Sequence, residues 1–312
     1  MPDFEIICVG AAKFDLIAEV EDFPHEDERV LAQTLQDAIG GPAVTAAVAI
    51  ARLGVPVAFC GVIGRDRGGD HIMERLEQEH IGTRWVTRNA DIDTARSMNI
   101  VTRKNATRAI ITVSAPSPDP AVVASLKAPW IHFDDVGYCS GGALRRIAPT
   151  GVKFSIDGGN RIASLDVQGI DLYAPTIVRL AAEYSGGRSP RELMQAAIDH
   201  GARNVVATDG ANGSYVLSDG TFDCVPAFMT PDIVSTLGAG DVFHGGILAA
   251  LCLGKSLTEA TRWGNACAAL SCRALDGMTM APTRPEVEDL LATARNAPAS
   301  NAAPKTNSLN HA

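Results

Sequence analysis

The sequence predicts an α/β fold, in which a mostly parallel β-sheet is covered by helices and accompanied by a small second sheet. From about residue 120 onward, short apolar runs alternate with helical segments, a pattern typical of parallel strands joined by crossover helices. Two earlier β-rich stretches, within about residues 12–40 and 95–115, do not follow this alternation. We expect them to form a separate, lid-like sheet.

The first half of the chain alternates apolar strands with helices. The expected elements are strands at residues 6–9 and 57–62, helices at residues 42–53 and 71–80, and two strands within residues 97–113. The first helix is Ala-rich and is followed by Gly54, the residue type that most often ends a helix. Gly82 is expected to stop the second helix in the same way.

Several strands of the second half end in polar residues. Apolar runs at residues 130–133, 152–156 and 205–207 lead into Asp134-Asp135, Asp157 and Thr208-Asp209-Gly210. Because ligands of parallel sheets bind beyond the carboxyl ends of the strands, these polar residues predict a binding site. Further helices are expected at residues 242–253 and 263–275. We predict one domain over residues 1–292 and a flexible tail over residues 293–312, which is rich in Ala, Asn and Pro.

Composition and charge narrow the function classes. The 312 residues are 46% hydrophobic and 20% charged, which excludes wholesale disorder. The formal net charge of −9 argues against nucleic-acid binding, which needs a basic surface. The absence of an apolar run of roughly 18 residues argues against a membrane span. Seven cysteines without a Cys-x-x-Cys pair are typical of reduced core thiols, so we expect a cytoplasmic protein.

Common nucleotide and metal motifs are missing from the sequence. Gly254-Lys255-Ser256 would need a glycine five residues earlier to form a Walker loop, and that position holds Ala249. We therefore interpret Gly254 as the end of a helix. The sequence also contains no Gly-x-Gly-x-x-Gly loop at Gly238 and no His-Glu-x-x-His zinc motif.

The most informative segment, residues 235–246, reads Ser-Thr-Leu-Gly-Ala-Gly-Asp-Val-Phe-His-Gly-Gly. Its small residues Gly238, Ala239 and Gly240 lead directly into an apolar helix, so a ligand can approach their backbone N–H groups. The unpaired donors and partial positive charge of a helix start favour an anion there. Asp241 either caps this helix, which is the ordinary role of Asp at that position, or accepts a proton from a hydroxyl held against a phosphate.

A second segment, residues 40–54, places a glycine pair before a helix of small residues that ends in Arg-Leu-Gly. Together the two segments resemble the signature regions of the ribokinase-like (PfkB) carbohydrate kinases. That family has Gly-Gly, a spacer, Asn and an Ala-rich helix, and later Asp-Thr-Thr-Gly-Ala-Gly-Asp-x-Phe-x-Gly-Gly. Residues 208–213 also resemble its Thr-x-Gly-x-x-Gly nucleotide loop. The resemblance spans roughly residues 5–290 and implies a three-layer αβα sandwich with a small β-sheet lid.

The resemblance also implies a reaction and residues that perform it. Asp241 would be the catalytic base that takes a proton from a sugar hydroxyl as it attacks the γ-phosphate of ATP, with Gly238, Ala239 and Gly240 as the anion hole. ATP would be bordered by Thr208, Gly210, Gly213, Gly238 and Gly240. The sugar would be bordered by Asp15, Gly40, Gly41, Thr45, Arg29, Asp135 or its neighbour Asp134, and Asp241. Mg²⁺ would travel with ATP, and its protein ligands are not identified.

This sequence departs from the family pattern at three positions. Ser235 and Leu237 stand where the family has Asp and Thr, and Thr45 replaces an Asn. The missing Asp helps to hold a monovalent cation in some relatives, so we expect only weak activation by potassium. The Asn-x-x-Glu segment that organises Mg²⁺ in many members should fall near residues 174–186, where this sequence lacks it.

The substrate stays open, as do two alternative functions. Residues 115–119 resemble the sulfofructose kinase branch, whereas Gly137 occupies the position of the Arg expected to meet a sulfonate. A ketose or a sugar acid is equally compatible with the motifs. A nucleoside kinase on the same fold is the first alternative, which the scarcity of aromatic residues in the lid disfavours. A non-catalytic sugar- or nucleotide-binding regulator is the second, and the departures at the signature motifs motivate it.

Two other expectations concern a histidine and the assembly. His244 lies three residues past Asp241 on the same helix, and we interpret it as a packed helix histidine in preference to a proton shuttle. Relatives often pair through their lids, so the resemblance implies a homodimer formed through the lid.

Overall fold

The computed structural model describes residues 3–134, 151–159, 167–184, 189–230 and 232–296. Its strands are β1 (Ile6–Val9), β2 (Lys13–Val20), β3 (Thr34–Gly40), β4 (Val57–Gly64), β5 (Gly82–Asn89), β6 (Arg96–Thr102), β7 (Arg108–Thr112), β8 (Trp130–Phe133), β9 (Lys153–Gly159), β10 (Leu172–Pro175), β11 (Asn204–Thr208), β12 (Ser214–Ser218) and β13 (Thr221–Val225). Its α-helices are α1 (Pro42–Arg52), α2 (Arg67–Gln78), α3 (Pro120–Ser125), α4 (Ile177–Glu183), α5 (Pro190–Asp199), α6 (Ala239–Cys252), α7 (Leu257–Ser271) and α8 (Arg284–Asn296).

Nine of the described strands form one large sheet in the order β13-β12-β11-β10-β9-β8-β1-β4-β5. Its neighbouring strands are parallel except at β11–β12 and β12–β13, which are antiparallel hairpin neighbours. Strand β1 is buried along its whole length, as expected for a parallel strand covered on both faces. The predicted α/β fold with a mostly parallel central sheet is therefore confirmed.

Two apolar cores lie on opposite faces of this sheet. Along β1, Ile6 and Cys8 belong to one core, whereas Ile7 and Val9 belong to the other, because successive side chains of a strand point to opposite faces. Helices α1, α2, α6, α7 and α8 contribute to the first core, and α4 and α5 contribute to the second. The molecule is thus the predicted three-layer αβα sandwich.

Helix α6 packs closely against its two neighbours. A Cβ atom at Gly245 would lie 2.6 Å from the carbonyl oxygen of Ala46 on α1, and one at Gly246 would lie 2.9 Å from the Sγ atom of Cys267 on α7. The two glycines therefore allow an approach that larger residues would prevent. This packing fixes the position of the amino-terminal end of α6 over the sheet.

A four-stranded sheet in the order β3-β2-β6-β7 forms the small second sheet. Strands β2 and β6 are parallel, and the other two pairs are antiparallel. It rests on α2 through β2, where a Cβ atom at Gly68 would lie 3.0 Å from the Cβ atom of Phe14. The strands lie within the two stretches that the sequence analysis assigned to a lid-like sheet.

The limits of three helices differ from the sequence-based expectation. Helix α2 begins at Arg67, because the Asp66 side chain accepts a hydrogen bond from the backbone N–H of Gly69. It ends at Gln78, and Gly82 begins the unpredicted strand β5. Helix α7 begins at Leu257, because Ser256 and Glu259 form a capping box there, and it ends at Ser271. Both ends lie before those of the expected helix at residues 263–275. Helix α8 continues to residue 296, past the predicted tail boundary at residue 293.

Candidate active site

A cavity of about 610 Å³ opens between the carboxyl ends of the central strands, the start of α6 and the small sheet. Its lining includes Asp134, Asp157, Thr176 and Thr208 from the strand ends, Gly238, Gly240, Asp241 and His244 from α6 and the preceding loop, and Lys13, Arg108, Ile110 and Thr112 from the small sheet. The cavity therefore lies where the strand-end residues predicted a site.

The start of α6 presents backbone to this cavity. Gly238 is the residue before the helix, with φ +76°, and no side chain caps the helix. A Cβ atom at Gly240 would meet no protein atom within 4 Å, since this residue faces open space. The N–H group of Ala239 donates to the carbonyl oxygen of Thr236 at 3.3 Å, whereas Gly238 and Gly240 line the cavity and present their backbone to it. The positive end of the helix dipole favours an anion at this position.

Asp241 does not cap α6, so the capping alternative is wrong. Its carboxylate lines the cavity. Burial, together with the charge of Asp157, raises the pKa of Asp241 to about 7, while His244 and the cations Arg108 and Lys13 act in the opposite direction. A carboxylate whose pKa lies near neutrality is suited to accept a proton and to release it again.

Beside Asp241 lies a buried cluster of two imidazoles and a carboxylate. The Nε2 atom of His244 is 3.2 Å from the Oδ1 atom of Asp157, and His132 stacks on His244 with ring centroids 5.6 Å apart. The Nδ1 atom of His132 lies 3.1 Å from the Oγ atom of Ser155. His244 is therefore more than the packed helix histidine expected from the sequence, because it pairs with a cavity carboxylate.

The small sheet contributes two cations to the cavity lining. Lys13 donates from Nζ to the Oγ1 atom of Thr112 at 2.7 Å, and Arg108 donates from Nη1 to the Oγ1 atom of Thr236 at 3.0 Å. Both are bound to neutral hydroxyls in these contacts, which leaves their charge available to an anionic ligand. The sequence analysis missed both residues. The alternation of β2 could have indicated Lys13, because it shares a face with Asp15, whereas no sequence signal indicated Arg108.

Asp134 ties three elements together at the cavity wall. Its Oδ2 atom accepts hydrogen bonds from the backbone N–H groups of Ala11 at 2.7 Å and of Ala43, at the start of α1, at 3.1 Å. A Cβ atom at Gly10 would overlap the Asp134 carboxylate. Asp134 thus stabilises the start of α1. The other member of the predicted pair, Asp135, lies outside the described residues, as does Gly137.

Asp15 is buried in the small sheet and does not line the cavity. Its carboxylate accepts hydrogen bonds from the Oγ atom of Ser97 at 2.5 Å and from the Nδ2 atom of Asn99 at 3.2 Å. Burial raises the pKa of Asp15, and these two hydrogen bonds oppose that shift. A Cβ atom at Gly40 would lie 2.1 Å from the Oδ2 atom of Asp15. Gly40 therefore leaves room for this carboxylate.

Of the other residues expected to border the sugar, Asp134 and Asp241 line the cavity, whereas Gly40, Gly41, Thr45 and Arg29 do not. Gly41 has φ +102° and is the residue before α1, where a Cβ atom would lie 2.4 Å from the carbonyl oxygen of Ala11. Thr45 is buried on α1, with its Cγ2 atom 3.7 Å from the Cβ position of Gly238. Arg29 is exposed in the β2–β3 connection. Thr45 thus packs against the loop that carries Gly238.

Of the three residues expected to border ATP after β11, Thr208 lines the cavity. Gly210 and Gly213 form a tight turn, in which the N–H group of Asp209 donates to the carbonyl oxygen of Gly213 at 2.8 Å. A Cβ atom at Gly213, which has φ +98°, would lie 2.2 Å from the carbonyl oxygen of Val225. This glycine is therefore required by the turn itself.

Metal-binding side chains are dispersed in the described part of the chain. No group of three or more His, Cys, Asp or Glu residues there is placed to hold a metal ion. In the same part of the chain, no helix has the length and apolar character needed to cross a membrane.

The sequence matches the profile of the pfkB family carbohydrate kinases over residues 3–139 and 179–284. The chain belongs to the pfkB family of carbohydrate kinases. This pfkB chain is 28% identical over 302 residues to ketohexokinase of Mus musculus, which covers 87% of this chain and 97% of that protein. It is 28% identical over 304 residues to ribokinase of Haemophilus influenzae, covering 92% and 98% respectively.

Solved structures show the same fold. Ribokinase from Giardia lamblia superposes with a TM-score of 0.84 at 18% identity, covering 93% of the pfkB chain and 99% of that chain. Arabidopsis thaliana ribokinase, solved in complex with ribose and ATP, gives a TM-score of 0.77 at 23% identity with the same coverage. The ribokinase-like fold implied by the sequence motifs is therefore confirmed.

Proposed function

We propose that this pfkB chain transfers the γ-phosphate of ATP to a hydroxyl group of a small sugar or sugar derivative. The observation that carries the proposal is the uncapped start of α6, where backbone donors at Gly238 and Gly240 lie beside the carboxylate of Asp241 in one cavity. Family membership supports it. ATP binding also fits the ribokinase relatives, one of which was solved with ATP.

In the proposed reaction, an oxygen of Asp241 accepts the hydroxyl proton as the sugar oxygen bonds to the γ-phosphorus. The bond from that phosphorus to the bridging oxygen breaks, and ADP leaves. Backbone donors at Gly238 and Gly240 stabilise the charge on the transferred group. Lys13 and Arg108 line the same cavity and supply positive charge to this anion. Mg²⁺ accompanies the phosphates of ATP.

The nature of the lining favours a sugar over a nucleoside. The cavity lining has no Phe, Tyr or Trp among the described residues, and His244 is its one aromatic ring there. A nucleobase is commonly held by stacking on aromatic rings, whereas hydroxyls and charged groups suit a polar sugar. Thr112, Ser114 and Ser117 provide such hydroxyls. Ketoses, sugar acids and sulfo-sugars are therefore the acceptor classes to test.

The residues near the small sheet are proposed to border the sugar. Asp15 lies two residues after Lys13 on β2, and hence on the face of the small sheet that meets the cavity. Gly40, Gly41 and Thr45 follow at the β3–α1 junction. ATP is proposed to lie along Thr208, Gly210 and Gly213, at the end of β11.

The surroundings and assembly of the enzyme are also proposals. The described cysteines are free thiols, and Cys8, Cys60, Cys267 and Cys272 are buried. Unpaired thiols suit a reducing compartment, which supports a cytoplasmic protein. The small sheet turns one apolar face outward, and we propose that this face pairs two copies into a homodimer.

A panel of acceptors tests the proposed function directly. ADP release is measured with ketoses, aldoses, sugar acids, sulfo-sugars and nucleosides as separate acceptors, in the presence of Mg²⁺ and ATP. The proposal expects one sugar class to accelerate ADP release well above the rate without acceptor. Tight binding of a sugar without any ADP release would instead favour the non-catalytic regulator, and release only with nucleosides would favour the nucleoside kinase.

A further inference from the structure

A buried ion pair lies one helical turn beyond the candidate base. The side chains of His244 and Asp157, whose Nε2 and Oδ1 atoms are 3.2 Å apart, are only 7% and 13% exposed. His244 follows Asp241 by three residues on α6, and residues with this spacing share one face of a helix. All three side chains line the same cavity. The ion pair is therefore part of the wall that holds the base.

The carboxylates of Asp157 and Asp241 line the same cavity, so their negative charges repel each other. Asp157 at the end of β9 stays ionised, because His244 and the N–H group of Gly159 lower its pKa against the effect of burial. Its negative charge makes ionisation of Asp241 more costly. A base must nevertheless be ionised to accept a proton, so a nearby counter-charge is needed.

Of the two buried histidines near Asp241, His244 is the one that can carry a positive charge opposite the carboxylates. Burial lowers the pKa of His132 to about 3, so this stacked ring stays neutral. The pKa of His244 is instead raised by Asp157, despite burial. From the small sheet, Lys13 and Arg108 approach from the open side of the cavity, where they are bound to hydroxyls.

The elements around this cluster bring few further charges to it. From α6, the ring of Phe243 packs edge-on against His244. From β8 comes His132, whose Nδ1 atom lies 3.1 Å from the Oγ atom of Ser155. At the end of this strand, Asp134 accepts a hydrogen bond from the N–H group of Ala11. Asp157, Asp241 and His244 therefore form one coupled group of charges.

We propose that His244 is a positioning residue for the reaction, which acts through Asp241 by holding a positive charge, fixed by Asp157, beside the two cavity carboxylates. The inference rests on the proposed function, because it assumes that Asp241 is the base. Without His244, the charge of Asp157 would face Asp241 directly. Asp241 would then retain its proton to higher pH, and the enzyme would lose activity at neutral pH.

The test is the pH profile of kcat/KM, measured with the best acceptor of the sugar panel. His244→Gln is expected to move the acidic limb upward by about one pH unit or more, with activity returning at alkaline pH. The double variant Asp157→Asn/His244→Gln removes both charges and is expected to move the limb back toward its wild-type position. His200→Gln, at an exposed site at the end of α5, serves as the matched control and should leave the profile unchanged.

The inference would be overturned if the acidic limb of His244→Gln stays at its wild-type position. It would also be overturned if the limb of the double variant does not move back toward that position. A purely structural role would lower activity at every pH without moving the limb. If His244→Gln does not fold, NMR titration of the wild-type histidines decides, since a neutral His244 at pH 7 would contradict the proposal. Asp241→Asn distinguishes failure of the proposed function from failure of this inference. Full activity in Asp241→Asn would contradict the proposed function. An inactive Asp241→Asn, together with an acidic limb that does not move in His244→Gln, would contradict only the inference about His244.

Discussion

The backbone of Gly238 packs directly against that of Gly277. A Cβ atom at Gly238 would lie 3.0 Å from the Cα atom of Gly277. The loop that carries Gly277 is itself held in place, because Asp276 accepts a hydrogen bond from the N–H group of Met278 at 3.0 Å. Arg52 also donates to the carbonyl oxygen of Met278 at 3.0 Å. The loop at Gly238 therefore packs against a fixed neighbouring loop, while Gly238 and Gly240 also line the cavity.

Gly240→Ala tests whether the open side of that loop receives a ligand. The added methyl group would meet no protein atom within 4 Å, and Ala is the better helix former, so the free energy of unfolding should not fall. It would, however, occupy the space in front of the backbone donors. We expect kcat/KM for ATP to fall about 100-fold, as measured by coupled ADP assays alongside thermal unfolding.

The control for this variant is Gly220→Ala. Gly220 has φ +75° and also has open space at its Cβ position, so alanine there should lower stability by about 1 kcal/mol without changing kcat/KM. Wild-type kcat/KM for ATP in Gly240→Ala would show that no phosphate group approaches this turn.

The monovalent-cation dependence follows from Ser235. This residue is buried, and its Oγ atom accepts a hydrogen bond from the N–H group of Leu237 at 3.1 Å. A neutral hydroxyl that is engaged in a turn attracts a cation less than a carboxylate would. We expect replacement of potassium by sodium to change the rate little at constant ionic strength. Strong activation by potassium over sodium would contradict this reading of Ser235.

Acid lability should depend on His132. Burial lowers its pKa to about 3. As the pH falls below about 6.5, His132 is therefore protonated in the unfolded chain but stays neutral in the folded chain. The stability that depends on neutral His132 is therefore complete above pH 6.5 and falls as the pH drops toward 3, with a loss of about 2 kcal/mol by pH 5. His132→Gln should lose less stability between pH 7.5 and pH 5 than the wild type, as measured by urea unfolding. Equal losses in the two proteins would refute this assignment.

A homodimer should form through the outer face of the small sheet. Leu35, Met98 and Ile111 are 64%, 43% and 63% exposed on this face, and cross-strand pairing places Met98 opposite Ile111. Exposed apolar side chains that adjoin one another favour association. Light scattering should give a dimeric mass for the wild type and a monomeric mass for Ile111→Asp.

The control for the dimer is Val178→Asp, at a residue of α4 that is 68% exposed and distant in the chain from the small sheet. It should remain dimeric. A monomeric wild-type protein at micromolar concentration would exclude the proposed pairing.

The sequence predicted site residues that are adjacent in the chain better than contacts between residues far apart in the chain. Gly238, Gly240 and Asp241 were identified because small residues, a helix start and a carboxylate follow one another in the chain. The pairing of His244 with Asp157 was not, because these residues come from different elements and meet only when the central sheet and α6 pack together. Strand β5 was missed since its residues are mostly half-buried and polar, which weakens the apolar alternation.

Asp241→Asn tests the central claim most directly. The amide preserves the shape of the side chain but cannot accept the hydroxyl proton, so turnover should fall about 100- to 10,000-fold. ATP and sugar dissociation constants, measured by calorimetry, should change little, and Glu77→Gln on the exposed surface of α2 should behave as the wild type. In the wild type, kcat/KM should decline as the pH falls through about 7. If Asp241→Asn phosphorylates the sugar at the wild-type rate, Asp241 is not the base and the proposed mechanism is wrong.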